Sequence, residues 1–283
     1  MVQPMTVDPS SLQDSLDYRF ADAPAAPEAL AGNETVAGMA ARGSCRRFDE
    51  RPVDAALLRT LAAVALASPT KSDLQQRDIV LVADPALREK LAGLVADQDW
   101  IAGAPAMLVF CGNNRRQRLI HQWRGRPFAN DHLDAFFNAA VDAGIALGAF
   151  VTAAEAAGLG CCPISALRNE PEAVRDLLGL PGHVFPVAGL AVGWPARQTW
   201  ISKRLPLAAT LHTDRYTEGD LSGAVEAYDR DRNAAYPYRT QRYADEYGEA
   251  ADYGWSEDKA RQYSKPERAG FGAFIRAIGF KLD

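Results

Sequence analysis

A long, nearly uncharged stretch at residues 131–158 constrains the fold of this chain more than any other feature. Its sequence is DHLDAFFNAAVDAGIALGAFVTAAEAAG, and after Phe136 only Asp142 and Glu155 are charged. As a helix it spans about 42 Å, which is long enough to cross a bilayer. Because the two acids and several polar residues interrupt the apolar run, we expect instead a central core helix that is buried on nearly every side.

Gly144 and Gly148 form a G-x-x-x-G pattern in this stretch, a spacing that favours helix pairing in lipid. In a soluble chain the same spacing often occurs by chance, so we interpret it as close packing within the core. Strand-like segments before and after the stretch predict a domain in which helices pack on a sheet around this helix.

The composition is that of a globular chain with a substantial core. Its 283 residues are 48% hydrophobic, and its net charge of −5 is spread without long runs of one sign. We therefore expect neither nucleic acid nor an anionic membrane as a partner. The N-terminus MVQPMTVDPSSLQDSLDYRF carries acids where a secretory signal has a basic end and an apolar run, so we expect a cytoplasmic protein.

The cysteines and histidines do not indicate a metal site. Cys45, Cys111, Cys161 and Cys162 include no C-x-x-C pair, and the four histidines include no H-x-x-x-H pair. Adjacent side chains in a strand point to opposite faces, so Cys161 and Cys162 are poorly placed to bridge each other. We expect buried, unreactive thiols and no bound metal.

Periodicity and capping signals place the other elements. Asn33, Asp54 and Asp84 are expected N-caps, and ordered structure is expected to begin near Asn33. Helices are predicted at 34–41, 55–67, 86–96, 171–178, 222–236 and 265–278, and strands at 78–83, 106–112, 158–167 and 184–194. We expect three parts: an N-terminal arm (1–32), a core (33–196) and a C-terminal extension (197–283) that wraps the core or a partner subunit.

Several common catalytic patterns are missing from the sequence. There is no G-x-S-x-G, no G-x-x-x-x-G-K-[ST] and no H-E-x-x-H. Residues 158–163, GLGCCP, begin like a dinucleotide fingerprint, but proline replaces the third glycine and a strand follows instead of a helix. A Rossmann-type site is therefore excluded.

Cations and hydroxyl groups cluster at three places instead. They are ARGSCRRF at residues 41–48, SPTKS at 68–72 and KR at 203–204. Such groups suit a phosphate and a polar heterocycle. A solvated surface turn has the same composition, so these residues alone leave both interpretations open.

The segments ARGSCRRF, SPTKSDLQ, GLGCCPISALRNEPEAVRDLLGLP, VAGLAVGWP and KRLP occur in the order and spacing of the nitroreductase family. The chain most resembles the family's NADPH-linked oxygen-insensitive nitroreductase and flavin reductase branch. The resemblance implies an FMN-binding α+β homodimer with a central, mostly antiparallel sheet flanked by helices. It also implies a long core helix at the dimer interface and a C-terminal excursion, and it makes residues 33–196 the FMN-binding core.

The resemblance implies roles for individual residues in binding FMN. Arg42 and Arg46 resemble a basic pair, of which one meets the phosphate and the other the N1/O2 edge of the ring, where a cation stabilises negative charge. Ser44 is expected to hydrogen-bond nearby. Lys203 and Arg204 resemble a second phosphate clamp.

Further residues resemble those that surround the flavin ring. Gln98 resembles a glutamine that meets the carbonyl edge, and the backbone N–H of Ser165 or Ala166 is expected to reach N5. The turn that holds the ring from the partner subunit is expected to comprise Ser68, Pro69, Thr70, Lys71, Ser72 and Leu74. The strand end that packs on one ring face is expected to comprise Pro163, Ile164, Ser165 and Ala166. No catalytic side chain is expected, because the chemistry takes place at flavin N5.

The chain departs from the family pattern at several positions. Ser165-Ala166 replaces the more usual Gly-Gly, which leaves less room above the flavin and narrows the choice of acceptor. Lys71 and Asp73 stand where serine and asparagine are common, and Lys203 is offset by one place. FMN binding is still expected, whereas the acceptor is left open.

The expected electron donor is NADPH or NADH. In the resembling branch, arginines just after the helix YDRDRNAAY contact the 2′-phosphate of NADPH, and Arg239 and Arg242 occupy the matching region. The next segment adds four carboxylates, Asp245, Glu246, Glu249 and Asp252. These either pair with the arginines or repel the phosphate, so we expect only a weak preference for NADPH.

Together these features predict an FMN-dependent oxidoreductase. It is expected to move a hydride from NAD(P)H to the flavin and electrons onward to a small-molecule acceptor such as a nitroaromatic compound, a quinone or a flavin. Two alternatives remain open. One is a specialised flavin reductase, dehalogenase or enone reductase with a narrow acceptor range, and the other is a flavin-binding storage or sensor protein without efficient turnover.

Overall fold

The computed structural model describes residues 11–95 and 98–283, which fall into two compact units. The first unit comprises the described part of Met1–Gly43 together with Thr199–Glu267, and the second comprises the described parts of Ser44–Gln198 and Arg268–Asp283. The helices are α1 (Leu12–Arg19), α2 (Glu34–Ala41), α3 (Ala55–Leu66), α4 (Pro85–Gly93), α5 (Arg115–Trp123), α6 (Leu133–Ala156), α7 (Pro171–Leu178), α8 (Leu221–Ala235), α9 (Ala244–Tyr247), α10 (Trp255–Tyr263) and α11 (Phe271–Ala277). The strands are β1 (Arg77–Val82), β2 (Ala106–Asn113), β3 (Gly160–Ile164) and β4 (Val184–Gly193).

The second unit is built on a four-stranded sheet in the order β1-β2-β4-β3, and every neighbouring pair is antiparallel. The two central strands are buried along almost their whole length, which explains why their sequences are continuous apolar runs. The predicted antiparallel sheet with flanking helices is confirmed.

Alternate residues of the central strands supply two separate apolar layers. Leu108, Phe110 and Leu190 belong to one cluster together with residues of α3 and α6. Met107 and Val109 belong to a second cluster together with residues of α4 and α7. Successive side chains of a strand point to opposite faces, so a run that is apolar at every position requires cover on both sides.

The expectation that the central helix is buried on nearly every side is wrong. α6 buries one face, which includes Ala146 and Phe150, against the sheet and α3. Its opposite face leaves Phe137 59% exposed, and Gly144 has no atom within 4 Å of the place where a Cβ would stand. The sequence signal failed because large apolar residues, Leu133, Phe137, Val141 and Ile145, occupy the exposed face as well.

The interpretation of Gly144 and Gly148 as core packing is wrong for the same reason. Both glycines are exposed, and neither has a neighbouring atom within 4 Å of an added Cβ. Small residues on an exposed helix face allow another backbone to approach closely.

Local capping signals are confirmed. Asn33 accepts a hydrogen bond from the N–H of Val36, Asp54 from those of Ala56 and Leu57, and Asp84 from that of Ala86. These three caps begin α2, α3 and α4 where the sequence places them.

Other elements differ from expectation. α1 lies inside the arm in which no ordered element was predicted, and α5 and α10 were not predicted either. The last helix begins at Phe271 instead of near residue 265. The first ten residues of the arm, and the predicted end of a helix at residue 96, lie outside the described residues. The boundaries of arm, core and extension stay a prediction.

A buried carboxylate on α6 organises the loop that precedes β1. Asp142 is fully buried, and it accepts hydrogen bonds from the hydroxyl of Thr70 and from the N–H groups of Lys71 and Gln76, the latter two at 2.9 and 3.0 Å. Arg77 Nη1 lies 4.0 Å from the same carboxylate. One ionised group therefore satisfies donors along the whole loop.

The same loop contains three non-glycine residues with left-handed backbone. Ser72, Asp73 and Gln75 have φ values of 50°, 55° and 50°. Such conformations cost about 1–3 kcal/mol each and persist only where surrounding contacts enforce them. The hydroxyl of Thr70, which donates to Asp142, also accepts from the N–H of Gln75 at 2.9 Å, so the carboxylate network reaches the strained residues.

We predict that Asp142→Asn lowers the free energy of unfolding by about 1–3 kcal/mol, because one acceptor of a charged network becomes a donor. Asp142→Ala should cost about 3–5 kcal/mol, since it also leaves Arg77 as an unpaired buried charge. Urea unfolding followed by circular dichroism measures both. The control is Asp134→Asn, at an exposed acid in the first turn of α6, which should change stability by about 0.5 kcal/mol or less. An unchanged midpoint for Asp142→Asn would contradict this account.

Candidate functional site

The first unit holds three of the cations predicted to bind phosphate. Arg42 follows the last residue of α2 and is half-buried, while Lys203 and Arg204 lie on the extended segment that follows Ile201. The two segments meet at Gly43, where an added Cβ would lie 2.3 Å from the carbonyl oxygen of Trp200. Only glycine permits this approach, which brings the residue after Arg42 against the segment that leads to Lys203.

Arg19 at the end of α1 ties these segments together, and sequence reasoning missed it. Its guanidinium donates to the carbonyl oxygens of Ala40 and Arg42 and to that of Ser202 at 2.8 Å. In return, the N–H of Arg204 donates to the carbonyl oxygen of Arg19 at 2.7 Å. No motif pointed to Arg19, because it lies in a segment without apolar periodicity.

Lys203 and Arg204 are in different environments. The Lys203 ammonium lies 2.8 Å from Asp231 Oδ2 and 3.3 Å from the carbonyl oxygen of Tyr18, and it sits 5.0 Å from the centre of the Tyr18 ring. Arg204 is exposed, and its guanidinium contacts the Ser202 hydroxyl and the Lys203 carbonyl oxygen. The Arg204 side chain is therefore the more available of the two for a ligand.

In the second unit, the segment that carries Ser44 and Arg46 runs beside β3. The N–H of Cys45 donates to the carbonyl oxygen of Cys161 at 3.0 Å, and Gly160 leaves no room for a Cβ because Cys45 lies against it. The Arg46 side chain is exposed, with its guanidinium 5.7 Å from the centre of the Trp100 ring. Backbone pairing thus fixes the segment and leaves the Arg46 cation accessible.

The predicted ring-packing residues lie where β3, an edge strand, ends. Pro163 and Ser165 are exposed, Ala166 is half-buried, and Ile164 points into the core. A short 3₁₀ helix, Ser165–Asn169, starts here, and no side chain caps its start. The first N–H groups of a helix have no partner within it, so those of Ser165 and Ala166 suit a ligand acceptor.

The turn at 68–74 is ordered by the Asp142 network. The Thr70 hydroxyl and the Lys71 N–H are both engaged by Asp142, and the Leu74 carbonyl oxygen accepts from Gln117 at 2.8 Å. The Ser68 hydroxyl oxygen is buried with no hydrogen-bond partner among the described residues. Pro69, Lys71 and Ser72 are exposed, so they can contact a ligand on the outer side of the turn.

Gln98 is half-buried, and its backbone takes part in a tight turn. Its N–H donates to the carbonyl oxygen of Val95 at 3.0 Å, and its carbonyl oxygen accepts from Ile101 at 2.9 Å. Only the Gln98 side-chain amide is left to meet a flavin edge.

The two arginines predicted to meet the nicotinamide cofactor are not equivalent. Arg242 Nε lies 3.2 Å from Asp258 Oδ1, and the backbone N–H of Arg242 donates to the Tyr253 hydroxyl at 2.9 Å. Burial alone raises the pKa of Asp258, but hydrogen bonds from Lys259 and Tyr253 and the charge of Arg242 outweigh it and lower the pKa. Arg239 is exposed.

The acidic segment after Arg242 folds back on its own unit. Arg261, which is 4% exposed, donates to the carbonyl oxygens of Arg242 and Gly248 at 3.0 and 2.8 Å. Glu246 pairs with Lys265, whose hydrogen bond lowers the pKa of the carboxyl group. In the part of the chain that the structure describes, none of the segment's four carboxylates pairs with Arg239 or Arg242.

The four cysteines are buried and not joined in disulfides. Burial raises the pKa of the Cys45 thiol and raises that of Cys111 to about 12. Thiols held in the neutral form are poor nucleophiles.

The residues present fit FMN. Within the first unit, Arg42 and Arg204 suit a dianionic phosphate group. Within the second unit, Arg46, Ser44 and the uncapped N–H groups at the end of β3 suit the polar edges of a flavin ring. The exposed Pro163 offers an apolar surface to one face of a flat ring.

Comparison with known proteins identifies what this chain is similar to. The profile described as "Nitroreductase family" matches residues 39–194, and that described as "Nitroreductase family, C-terminal domain" matches residues 202–283. The protein named "FMN reductase [NAD(P)H]" from Bacillus subtilis is 30% identical over 256 residues, which are 89% of this chain and 99% of that protein.

Two further similarities agree with this. The "Oxygen-insensitive NADPH nitroreductase" of Salmonella typhimurium is 36% identical over 173 residues, which are 61% of this chain and 70% of the relative. The solved structure of B. megaterium NfrA2 superposes with a TM-score of 0.79 at 31% identity, and the match covers 88% of this chain and 98% of that one. The family and the fold inferred from the sequence motifs are confirmed.

Proposed function

The chain belongs to the nitroreductase family, and on that premise we propose that it is an FMN-dependent oxidoreductase. It uses NAD(P)H as electron donor and a small molecule, such as a nitroaromatic compound, a quinone or a flavin, as acceptor. The names of the relatives, an NAD(P)H-dependent FMN reductase and a nitroreductase, support the cofactor, the donor and the reaction class.

One observation supports assigning flavin binding to this chain's own residues: uncapped N–H groups and an exposed cation lie along the same edge strand. Ser165 and Ala166 present N–H groups at the end of β3, and the Arg46 segment pairs with the same strand at Cys161. When bound, FMN supplies a ring that accepts a hydride at N5 and releases electrons to a second substrate.

The chain's own residues would bind FMN, orient its ring and polarise the ring. In the second unit, the N–H of Ser165 or Ala166 would donate toward N5 of a bound flavin, and Arg46 would stabilise negative charge at the N1/O2 edge. In the first unit, Arg42 and Arg204 would bind a phosphate group. The Ser44 hydroxyl lies beside Arg46 in sequence and adds a donor near the same edge. No side chain is required as a general acid or base.

A flavin-binding protein without efficient turnover is the second candidate, because every group assigned here binds or orients and none transfers a proton. Steady-state oxidation of NAD(P)H with a quinone or a nitroarene separates the two. Oxidation that accelerates with acceptor supports the enzyme, whereas reduction of bound flavin without turnover supports storage or sensing. A panel of acceptors, including enones and halogenated aromatic compounds, then defines the specificity.

We predict that the purified protein is yellow and releases non-covalent FMN on denaturation. Arg42→Glu should lower FMN affinity by roughly a hundredfold or more, because it replaces an attractive charge with a repulsive one at a dianion. Flavin fluorescence quenching measures the dissociation constant. Arg230→Glu, at an exposed arginine on α8, is the matched control and should bind FMN like the wild type. Wild-type protein that binds no flavin when FMN is supplied in excess would refute the assignment.

We further propose that the protein is a cytoplasmic homodimer in which α6 lies at the interface. Leu133, Phe137, Val141 and Ile145 recur every four residues on α6 and are 37–59% exposed. Gly144 and Gly148 lie on the same exposed side and leave open space. Such a stripe resembles half of a split core, and a second copy would cover it.

Replacing two residues of this stripe tests the dimer. The double variant Phe137→Glu/Val141→Asp should shift the protein from dimer toward monomer or aggregate, because it places four charges at a symmetric apolar contact. Light scattering coupled to size exclusion measures the mass. The control Leu211→Glu alters an exposed leucine outside the stripe and should leave the mass unchanged. A wild-type monomer that is folded and binds FMN at nanomolar concentration would contradict the proposal.

Donor selectivity is assigned to Arg239 because Arg242 is already paired with Asp258. We predict that the wild type prefers NADPH weakly, and that Arg239→Ala lowers the NADPH/NADH ratio of kcat/KM by roughly two- to fivefold, the effect of losing one solvent-exposed ionic contact. Arg242→Ala serves as comparison and should change the ratio less. Equal kcat/KM values for both donors in the wild type, or an unchanged ratio in Arg239→Ala, would show that this region does not read the phosphate.

A further inference from the structure

Arg19 is a buried cation whose hydrogen bonds end on the two segments that carry predicted phosphate-binding residues. Only 6% of its surface is exposed. Its guanidinium reaches the carbonyl oxygens of Ala40 and Arg42 on one side and of Ser202 on the other. A planar guanidinium with five donors in fixed directions can serve three such acceptors together, whereas an ammonium on a flexible stem cannot hold the same geometry.

The acceptors at Ala40 and Arg42 lie at the carboxyl end of α2. The last carbonyl groups of a helix lack partners within it and carry partial negative charge. A phosphate that approaches Arg42 meets this unfavourable end of the helix dipole. Arg19 covers two of these carbonyl oxygens with positive charge, so it lowers the electrostatic cost of placing an anion beside Arg42.

The hydrogen bond from Arg204 fixes the other side of the arrangement. The backbone N–H of Arg204 donates to the carbonyl oxygen of Arg19 at 2.7 Å. The backbone of Arg19 therefore positions Arg204, while its side chain positions the backbone of Arg42. Arg19 therefore sets the spacing between the backbones that carry two predicted phosphate cations.

α1 is held in this position by contacts that do not involve the guanidinium. Tyr18, Ala41 and Ile201 form a small buried apolar cluster. Asp22 accepts from the N–H groups of Leu207 and Ala208 at 2.7 and 2.9 Å. Burial raises the pKa of Asp22, but these hydrogen bonds outweigh it and lower the pKa. The side chain of Arg19 can thus be altered while the helix that carries it keeps its anchors.

We propose that Arg19 is a positioning residue for the phosphate group of FMN: it holds Arg42 and Arg204 at the separation the phosphate requires and neutralises the end of α2. The proposal rests on the FMN-dependent function proposed above. Arg19 precedes both family matches, which begin at residues 39 and 202, so the arm supplies a component of the site that the matched regions do not contain.

The test compares the affinity for FMN with that for riboflavin, which has the same ring and no phosphate. Apoprotein is prepared from the wild type and from Arg19→Lys, Arg19→Met and Arg230→Met, and both dissociation constants are measured by fluorescence quenching. Arg230→Met removes an exposed arginine of the same unit and is the matched control.

The expected result is a selective loss of phosphate recognition. Arg19→Met should weaken FMN binding by about tenfold or more and leave riboflavin binding unchanged, since the misplaced groups are those that meet the phosphate. Arg19→Lys should fall between Arg19→Met and the wild type, and Arg230→Met should match the wild type. If Arg19→Met does not fold, the Arg19→Lys ratio decides the question.

Two outcomes overturn the proposal. FMN and riboflavin affinities that fall in parallel would show that Arg19 only stabilises the fold, and unchanged affinities for both would show that the arm does not act on the site. These differ from failure of the proposed function itself, in which the wild type binds neither FMN nor riboflavin.

Discussion

The buried carboxylate of Asp142 is the interaction on which the second unit depends most. It comes from the middle of α6, and it satisfies donors on the loop that leads into β1, where the predicted flavin turn lies. An ionised group is expensive to bury unless it is well hydrogen-bonded. The left-handed residues of that loop need an external constraint, which the hydrogen bonds to this carboxylate supply. Asp142 thereby fixes the loop before β1, which has little regular structure, relative to α6.

The first unit is also organised by buried charged groups, which here are the cations of Arg19 and Arg261 and the carboxylate of Asp258. Arg19 binds carbonyl oxygens of two segments, and Arg261 binds those of Arg242 and Gly248 while Asp258 holds the Arg242 side chain. In each case a buried charge organises backbone and leaves a neighbouring cation, Arg204 or Arg239, exposed. Charge that is committed to structure and charge that is available for ligands thus belong to different residues, so the cationic residues of one cluster do not act as one group.

α6 shows how one composition serves two environments. Alanine on its inner face allows the helix to lie close to the sheet, and glycine on its outer face leaves the backbone open. The large apolar residues of the outer face are 37–59% exposed within the described chain, which is the feature that supports a second copy. A flavoprotein built in this way places its longest helix where both the internal packing and the proposed subunit contact depend on it.

The sequence by itself determined the family, the sheet strands and the starts of α2, α3 and α4, because motif order, apolar runs and the caps Asn33, Asp54 and Asp84 are local signals. It also supplied the candidate flavin residues, although only through resemblance. The tertiary structure alone decided which face of α6 is buried, that Arg242 is paired with Asp258, and that Arg19 joins Arg42 to Arg204. These contacts join residues that are far apart in the sequence. The guanidinium of Arg19 and the carbonyl oxygen of Ser202 meet because of the path of the chain, and local propensity does not predict such a contact.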